Sequence, residues 1–134
     1  MTTKFGDIGI LVLRLVFGLS MAFGHGLGKM PPSERFIEGV DNLGFPVPFV
    51  FAWMAGFSEF LGGLLIAMGL FTRPAAIMWI FTMSTAFFIR HADDPFSTKE
   101  KALLYMTVGV CLLLLGAGKY SLSQVLSKAN KLWL

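Results

Sequence analysis

Four apolar stretches divide the chain, and they cover residues 8–28, 47–71, 74–89 and 102–117. Arg14 and His25 are the only ionisable residues in the first stretch, and Glu59 is the only one in the second. A bilayer core about 30 Å thick requires about 20 helical residues, which the first two stretches supply easily. The last two are shorter, but basic side chains at their ends can extend to the interface. We therefore predict four transmembrane helices, over residues 8–28, 48–71, 74–90 and 101–117.

The predicted fold is all-α, because only helices and closed barrels satisfy every backbone polar group inside a bilayer. Two membrane helices with a buried hairpin are the alternative, and the length of uninterrupted apolar sequence disfavours it. We expect one integral membrane domain over residues 1–134, a four-helix transmembrane bundle.

Two shorter segments have an amphipathic pattern. After Ser33, which can cap a helix, one apolar face carries Phe36, Ile37, Val40 and Leu43. The tail, residues 121–134, repeats apolar residues at helical spacing, namely Leu122, Val125, Leu126, Ala129, Leu132 and Trp133. We predict a short amphipathic loop helix and an interfacial C-terminal helix. Packing of the tail against the bundle is the alternative that the pattern leaves open.

Proline and hydroxyl residues mark the expected helix boundaries. Pro48 suits the start of the second long helix, and Pro74 suits the first turn of the third. Ser97 and Thr98 are expected to cap the fourth.

Composition supports a membrane protein. Apolar residues make up 55% of the chain and charged residues only 14%, against roughly 25% charged in soluble domains. This excludes a disordered chain and argues against a soluble one. The single cysteine excludes an intramolecular disulfide and multi-cysteine metal sites. The lipid bilayer is the expected partner, and no nucleic acid is.

The distribution of charge gives an orientation. With four spans, five Lys and Arg residues fall on each side, so the count of basic residues alone does not decide. Asp7 is the only acid on the side of the termini, and the other loop acids lie on the opposite side. This asymmetry favours cytoplasmic termini.

Two charged residues lie well inside the apolar stretches, where each costs about 2.5–3.5 kcal/mol to insert. At a rise of about 1.5 Å per residue, Arg14 lies about 9 Å and Glu59 about 18 Å from the surface that carries the termini. We predict an intramembrane Arg14–Glu59 ion pair. It would either fix the register of the two helices or, with His25, relay protons or bind a ligand head group.

A second group of polar residues is expected near the opposite surface. It contains His25, Lys29, His91, Asp93, Asp94, Glu100 and Tyr105, and the two aspartates are expected to be solvated charges at a loop end. The candidate ligand-binding or proton-relay residues are Arg14, His25, Lys29, Glu59, His91, Glu100 and Tyr105. Two histidines with carboxylates can bind a metal, but these come from three segments without a local ligand spacing, so we assign no metal.

Several motifs resemble those of the DoxX family of small bacterial membrane proteins. They are Leu13-Arg14-Leu15-Val16-Phe17-Gly18, His25-Gly26-Leu27-Gly28-Lys29, Ser58-Glu59-Phe60-Leu61-Gly62-Gly63 and Gly69-Leu70-Phe71-Thr72-Arg73. The stretches Glu100-Lys101-Ala102-Leu103-Leu104-Tyr105 and Gly118-Lys119-Tyr120-Ser121-Leu122 are similar too. The resemblance implies a four-helix, multi-pass protein of the bacterial inner membrane. Members are linked to thiosulfate:quinone oxidoreduction, quinone stress and membrane thiol-redox complexes.

The resemblance leads to two functional hypotheses. In the first, the protein is a redox-associated subunit that binds a quinone or a similar small apolar ligand between its helices. A quinone would then be the cofactor, and redox proteins or a second copy of the chain would be partners. In the second, it is a non-enzymatic scaffold, small-molecule binder or transport accessory. The resemblance carries no agreed catalytic residues and does not decide whether the protein is an enzyme.

Overall fold

The computed structural model describes residues 3–127 and is all-helical over that range. This confirms the predicted all-α fold. Its six α-helices are α1 (Lys4–Met21), α2 (Glu34–Asn42), α3 (Pro48–Met68), α4 (Thr72–Thr85), α5 (Phe96–Leu115) and α6 (Leu122–Ser127). A π-helical turn over Ala22–Gly26 and a 3-10 turn over Leu27–Lys29 extend α1, and a second π-helical turn, Ala86–Arg90, extends α4.

Most predicted helix starts agree with the structure. Ser33 caps α2, where its hydroxyl accepts a hydrogen bond from the N–H of Phe36. Pro48 begins α3, and Pro74 lies in the first turn of α4. The prediction for α5 was wrong. Pro95 occupies the cap position in an extended conformation, so the helix begins at Phe96 and the hydroxyls of Ser97 and Thr98 lie within its first turn.

Helix α3 occupies the centre of the bundle. It packs against α1, α2 and α4, and α5 packs mainly against α4. The shared core contains Met21, Ile66, Trp79, Tyr105 and Leu112. Two segments, Lys4–Lys29 and Pro48–Met68, are long and apolar enough to span a membrane.

Small residues bring α1 and α3 into direct backbone contact. A Cβ atom added at Gly18 would lie 2.7 Å from the carbonyl oxygen of Gly63, and a Cβ at Gly63 would lie 2.7 Å from the oxygen of Gly18. The next nearest atoms show the same symmetry: those of Ala67 lie next to a Cβ added at Gly18, and those of Ala22 lie next to a Cβ added at Gly63. Such small-residue pairs let two helices approach closely. This crossing sets the register of α1 against α3.

The π-helical turn after α1 extends the contact between the first helix and α3 beyond Gly18. In a regular α-helix Gly18 and Gly26 would be rotated by about 80° from each other, at 3.6 residues per turn. A π turn contains one extra residue and reduces this offset to about 20°. Gly26 therefore faces α3, where a Cβ atom would overlap the backbone of Glu59 and Phe60.

Of the two predicted amphipathic helices, the first lies wholly within the described residues and the second only in part. The predicted loop helix is α2, in which Val40 is buried. In the tail, α6 covers Leu122–Ser127, and the rest of the predicted helix lies outside the described residues.

Candidate functional site

Glu59 forms an ion pair with Lys29, and this pair is the centre of the candidate site. Lys29 Nζ lies 2.8 Å from Oε1 and 2.6 Å from Oε2 of Glu59. The Glu59 side chain is 3% exposed and that of Lys29 is 31% exposed. The close approach of Gly26 to α3 places the two residues together. The site thus contains a buried carboxylate whose cation still reaches the protein surface.

The predicted Arg14–Glu59 ion pair was wrong. Arg14 is buried, and its guanidinium donates to backbone carbonyls at the end of α3, namely Ile66 (3.1 Å) and Ala67 (3.3 Å). It also donates to the carbonyls of Ala117 and Tyr120, which follow α5. The last carbonyls of a helix have no partner within it and attract cations. Arg14 therefore bridges two helix ends and lies in neither cavity described below.

Two cavities meet at the Lys29–Glu59 pair. A groove of about 750 Å³ lies between α2, α3 and α4, and a smaller cavity of about 260 Å³ lies between α1, α4 and α5. Lys29, Glu59, Ala86 and His91 line both of them. The groove falls in the size range of ligand pockets, roughly 300–1,000 Å³. The ion pair therefore stands at the junction of a ligand-sized groove and a smaller chamber.

The smaller cavity has a partly polar lining, whose apolar part includes Met21, Met83 and Ala102. It contains His25, Lys101, Thr98 and Tyr105 beside the four shared residues. The Tyr105 ring packs edge-to-face on His25, with 5.6 Å between the ring centres, and on Phe17 and Trp79. Four side chains of the predicted second group, those of His25, Lys29, His91 and Tyr105, thus line this cavity together with Glu59.

Both π-helical turns border this cavity. His25 lies within the first turn, and His91 directly follows the second. A π turn inserts one residue into a helix and often occurs at functional sites. His91 also contacts Asp94, with Nδ1 2.6 Å from Oδ2. This contact orients the imidazole at the shared mouth of the two cavities.

Glu100 lies outside both cavities and is exposed, unlike the other candidates near it. Its neighbour Lys101 lines the smaller cavity instead. Four residues separate Lys101 from Tyr105, a rotation of about 40°, whereas the five that separate Glu100 from Tyr105 give about 140°. The helical spacing from Tyr105 could therefore have selected Lys101 and Thr98 from the sequence.

The groove contains polar groups that sequence reasoning missed. Thr82 Oγ1 donates to Ser58 Oγ (2.9 Å), and Trp79 Nε1 donates to the carbonyl of Ser58 (3.1 Å). Arg35 and Arg90 line the same groove. Serines and threonines are too common in helices to stand out, and arginines near the ends of apolar stretches are expected to extend to the membrane interface. Within residues 3–127, no group of three or more His, Cys, Asp or Glu side chains is arranged to hold a metal.

Comparison with known proteins identifies the family. The DoxX family model matches residues 9–92. A putative oxidoreductase, CatD, of Bacillus subtilis is 29% identical over 126 residues, 93% of this chain and 92% of that protein. An uncharacterized protein of Haemophilus influenzae is also 29% identical, over 95% of this chain and 90% of its own length.

A third relative is informative about the cellular location of the protein. The inner membrane protein YphA of Escherichia coli is 31% identical over 88 residues, which are 65% of this chain and 57% of YphA. No solved structure matches the chain significantly. The family match covers most of the chain, and the apolar helices agree with it. The chain therefore belongs to the DoxX family and is a membrane protein.

Proposed function

We propose that this protein is a redox-associated membrane subunit that binds a quinone or a similar small apolar ligand in the groove between α2, α3 and α4. The observation that carries the proposal is the Lys29–Glu59 pair on the wall shared by the groove and the polar cavity. A relative named as a putative oxidoreductase adds weak support for the redox association.

The groove matches a ligand with an apolar body. Phe51, Met54, Ile77, Met78 and Phe81 line it, and the ion pair adds a cation and a carboxylate. A quinone has two carbonyl oxygens that accept hydrogen bonds. Lys29 would donate to one of them without leaving Glu59, because an ammonium has three donors. The flat ring would lie among the apolar side chains.

The polar cavity would connect the ligand to solvent. His25 lies there beside Tyr105, and His91 with Asp94 lies at the mouth. A histidine changes its charge near neutral pH and can exchange protons with a bound head group. The chain has a single cysteine and cannot form a dithiol by itself. Electrons would come from a redox partner protein.

The proposal includes the membrane topology predicted from the sequence. Helices α1, α3, α4 with its π turn, and α5 would be the four spans, with both termini in the cytoplasm. The cavities would then open toward the outer face of the inner membrane. Cysteine labelling from outside the cell, at Ser33→Cys and at Lys4→Cys in a Cys111→Ser background, tests this. Labelling of Lys4→Cys but not of Ser33→Cys would contradict the orientation.

Ligand binding is tested with the purified full-length chain in dodecyl maltoside. Decylubiquinone and menadione are titrated, and binding is followed by equilibrium dialysis with quantification of the quinone. Because Glu59 holds the Lys29 ammonium at the groove wall, we expect the Glu59→Gln variant to bind quinone at least about tenfold more weakly, which corresponds to about 1.4 kcal/mol. Glu38→Gln is the matched control, because this acid of α2 is exposed and lies outside the groove.

The double variant Lys29→Gln/Glu59→Gln separates binding from folding. Removing both charges of a buried pair is often tolerated, whereas removing one leaves an uncompensated charge. We expect the double variant to fold and to bind poorly. Quinone binding at wild-type strength in both variants would contradict the proposal, as would absence of quinone binding to the wild-type protein. The latter result would favour a scaffold or another ligand class.

A further inference from the structure

The mouth of the large groove carries an excess of positive charge. Its lining includes Lys29, Arg35 and Arg90, and Glu59 is the only carboxylate among the described residues that line it. Since Glu59 is already paired with Lys29, the two arginines supply the uncompensated charge. Neither forms an ion pair with any residue in the 3–127 range.

The nearby acids do not neutralise these arginines. Asp94 is engaged with His91, at 2.6 Å. The remaining acids near them, Glu34, Glu38, Asp41 and Asp93, are exposed, lie outside the groove lining and form no ion pair with a residue in the described range. The two arginines come from separate elements, Arg35 from α2 and Arg90 from the π turn after α4, yet both face one opening. A guanidinium binds phosphate oxygens through two parallel hydrogen bonds.

Below this charged mouth the lining of the groove is mostly apolar. Phe81, Met78 and Ile77 of α4 form one wall and are themselves exposed, so the groove is open along its side. In a membrane helix such a wall faces acyl chains. The combination of a basic mouth and an apolar channel is complementary to an amphiphile with an anionic head.

We propose that the groove binds an anionic phospholipid, whose phosphate contacts Arg35 and Arg90 and whose acyl chain lies along Ile77, Met78 and Phe81. The site goes beyond the proposed quinone function, because it uses the arginines at the mouth and does not require the Lys29–Glu59 pair. A free phosphate has the same head-group chemistry but lacks the chain that the apolar wall would hold.

Native mass spectrometry of the detergent-purified full-length chain tests the site. The probes are dioleoylphosphatidylglycerol and dioleoylphosphatidylcholine, which share their acyl chains and differ in net charge. We expect about a tenfold preference for phosphatidylglycerol, which corresponds to about 1.4 kcal/mol. The Arg35→Gln/Arg90→Gln variant should reduce the preference to about twofold or less. The Arg35→Lys/Arg90→Lys variant, which keeps the charge, should retain most of it.

The matched control is Lys4→Gln/Lys119→Gln, which removes the same charge from exposed positions at the other end of the bundle. It should keep the wild-type preference. Both arginines are exposed, so their replacement should leave the fold intact, which size-exclusion chromatography checks.

Equal binding of the two lipids, or an unchanged preference in the double glutamine variant, would overturn the proposal. So would displacement of phosphatidylglycerol by millimolar inorganic phosphate, which would indicate a site for the free anion. Decylubiquinone binding to the Arg35→Gln/Arg90→Gln variant distinguishes the lipid proposal from the quinone proposal. The quinone proposal depends on the Lys29–Glu59 pair and therefore predicts that this variant still binds decylubiquinone.

Discussion

The two ends of the bundle place a cation against α3 in different ways. At the end that carries the N-terminus, Arg14 donates four hydrogen bonds to backbone carbonyls, and no described cavity includes it. At the other end, Lys29 pairs with the side chain of Glu59 where two cavities meet. Carbonyl oxygens keep the same charge at every pH, whereas a carboxylate can gain or lose a proton. The first arrangement is suited to holding helices together, and the second to binding and exchange.

The contacts around each cation reinforce this difference. Near Arg14, the backbone N–H of Lys119 donates to the buried Asp7, and the N–H of Ser123 donates to the carbonyl of Gly69. Gly69 has a positive φ of 71°, and a Cβ atom there would lie 2.8 Å from Arg14 Cζ. The polar groups of Asp7, Arg14 and Ser123 at this end are thus used within the protein. We therefore expect substitutions there to affect folding, and substitutions at the cavity end to affect binding more than folding.

The largest effect is expected from Arg14→Met. This change removes the four hydrogen bonds that the guanidinium donates to backbone carbonyls and should lower the free energy of unfolding by about 3 kcal/mol or more. Thermal unfolding in dodecyl maltoside measures it. Arg73→Met is the control, since Arg73 is exposed and donates one described hydrogen bond, to Leu113, so it should cost about 1 kcal/mol. Equal losses in the two variants would remove the distinction between the ends.

The next effect concerns the contact between α1 and α3. In Gly18→Ala, the new Cβ atom would lie 2.7 Å from the carbonyl oxygen of Gly63, which forces the helices apart and should cost about 1–3 kcal/mol. Gly9→Ala has no atom within 4 Å of the new Cβ and should instead stabilise α1, by up to about 1 kcal/mol. Both are measured as shifts in the melting temperature. A shift of the same sign in both variants would show that the crossing is not as close as described.

A smaller loss of stability is expected for Glu59→Gln. Lys29 loses its partner but remains 31% exposed, so the cost should be about 1–2 kcal/mol, below the 3–5 kcal/mol of a fully buried broken pair. The double variant Lys29→Gln/Glu59→Gln should recover most of this stability. Chemical unfolding of the single and double variants in one detergent measures the coupling. A double variant less stable than Glu59→Gln would mean that Lys29 has a structural role of its own.

The smallest effect is expected for Asp94→Asn. The contact between His91 and Asp94 is solvent-exposed, with 32% and 45% of the side chains accessible, so stability should change by about 0.5 kcal/mol or less. Thermal unfolding in dodecyl maltoside measures this change. A loss of stability comparable to that of Glu59→Gln would contradict this expectation.

The sequence was informative where a local signal decides the structure. The Ser33 cap and Pro48 act within their own turn, so the starts of α2 and α3 could be read from the chain. The predicted capping of α5 was wrong, because Pro95 takes the cap position, two residues before Ser97. For the site, the positions of His25, Lys29 and Glu59 on helices were predictable, since helical spacing is a local property.

The partner of Glu59 was decided only by tertiary structure. From the sequence, Arg14 is the predicted partner of Glu59, and Lys29 is expected near the opposite membrane surface. The choice follows from the register of α1 against α3, which the Gly18–Gly63 contact sets and the π turn before Gly26 extends. These are contacts between residues far apart in the chain. By itself the sequence determined an apolar helical chain with a few buried charges. Close packing of two glycine-containing helix faces decided that Glu59 meets Lys29 at the cavities and that Arg14 binds the helix ends.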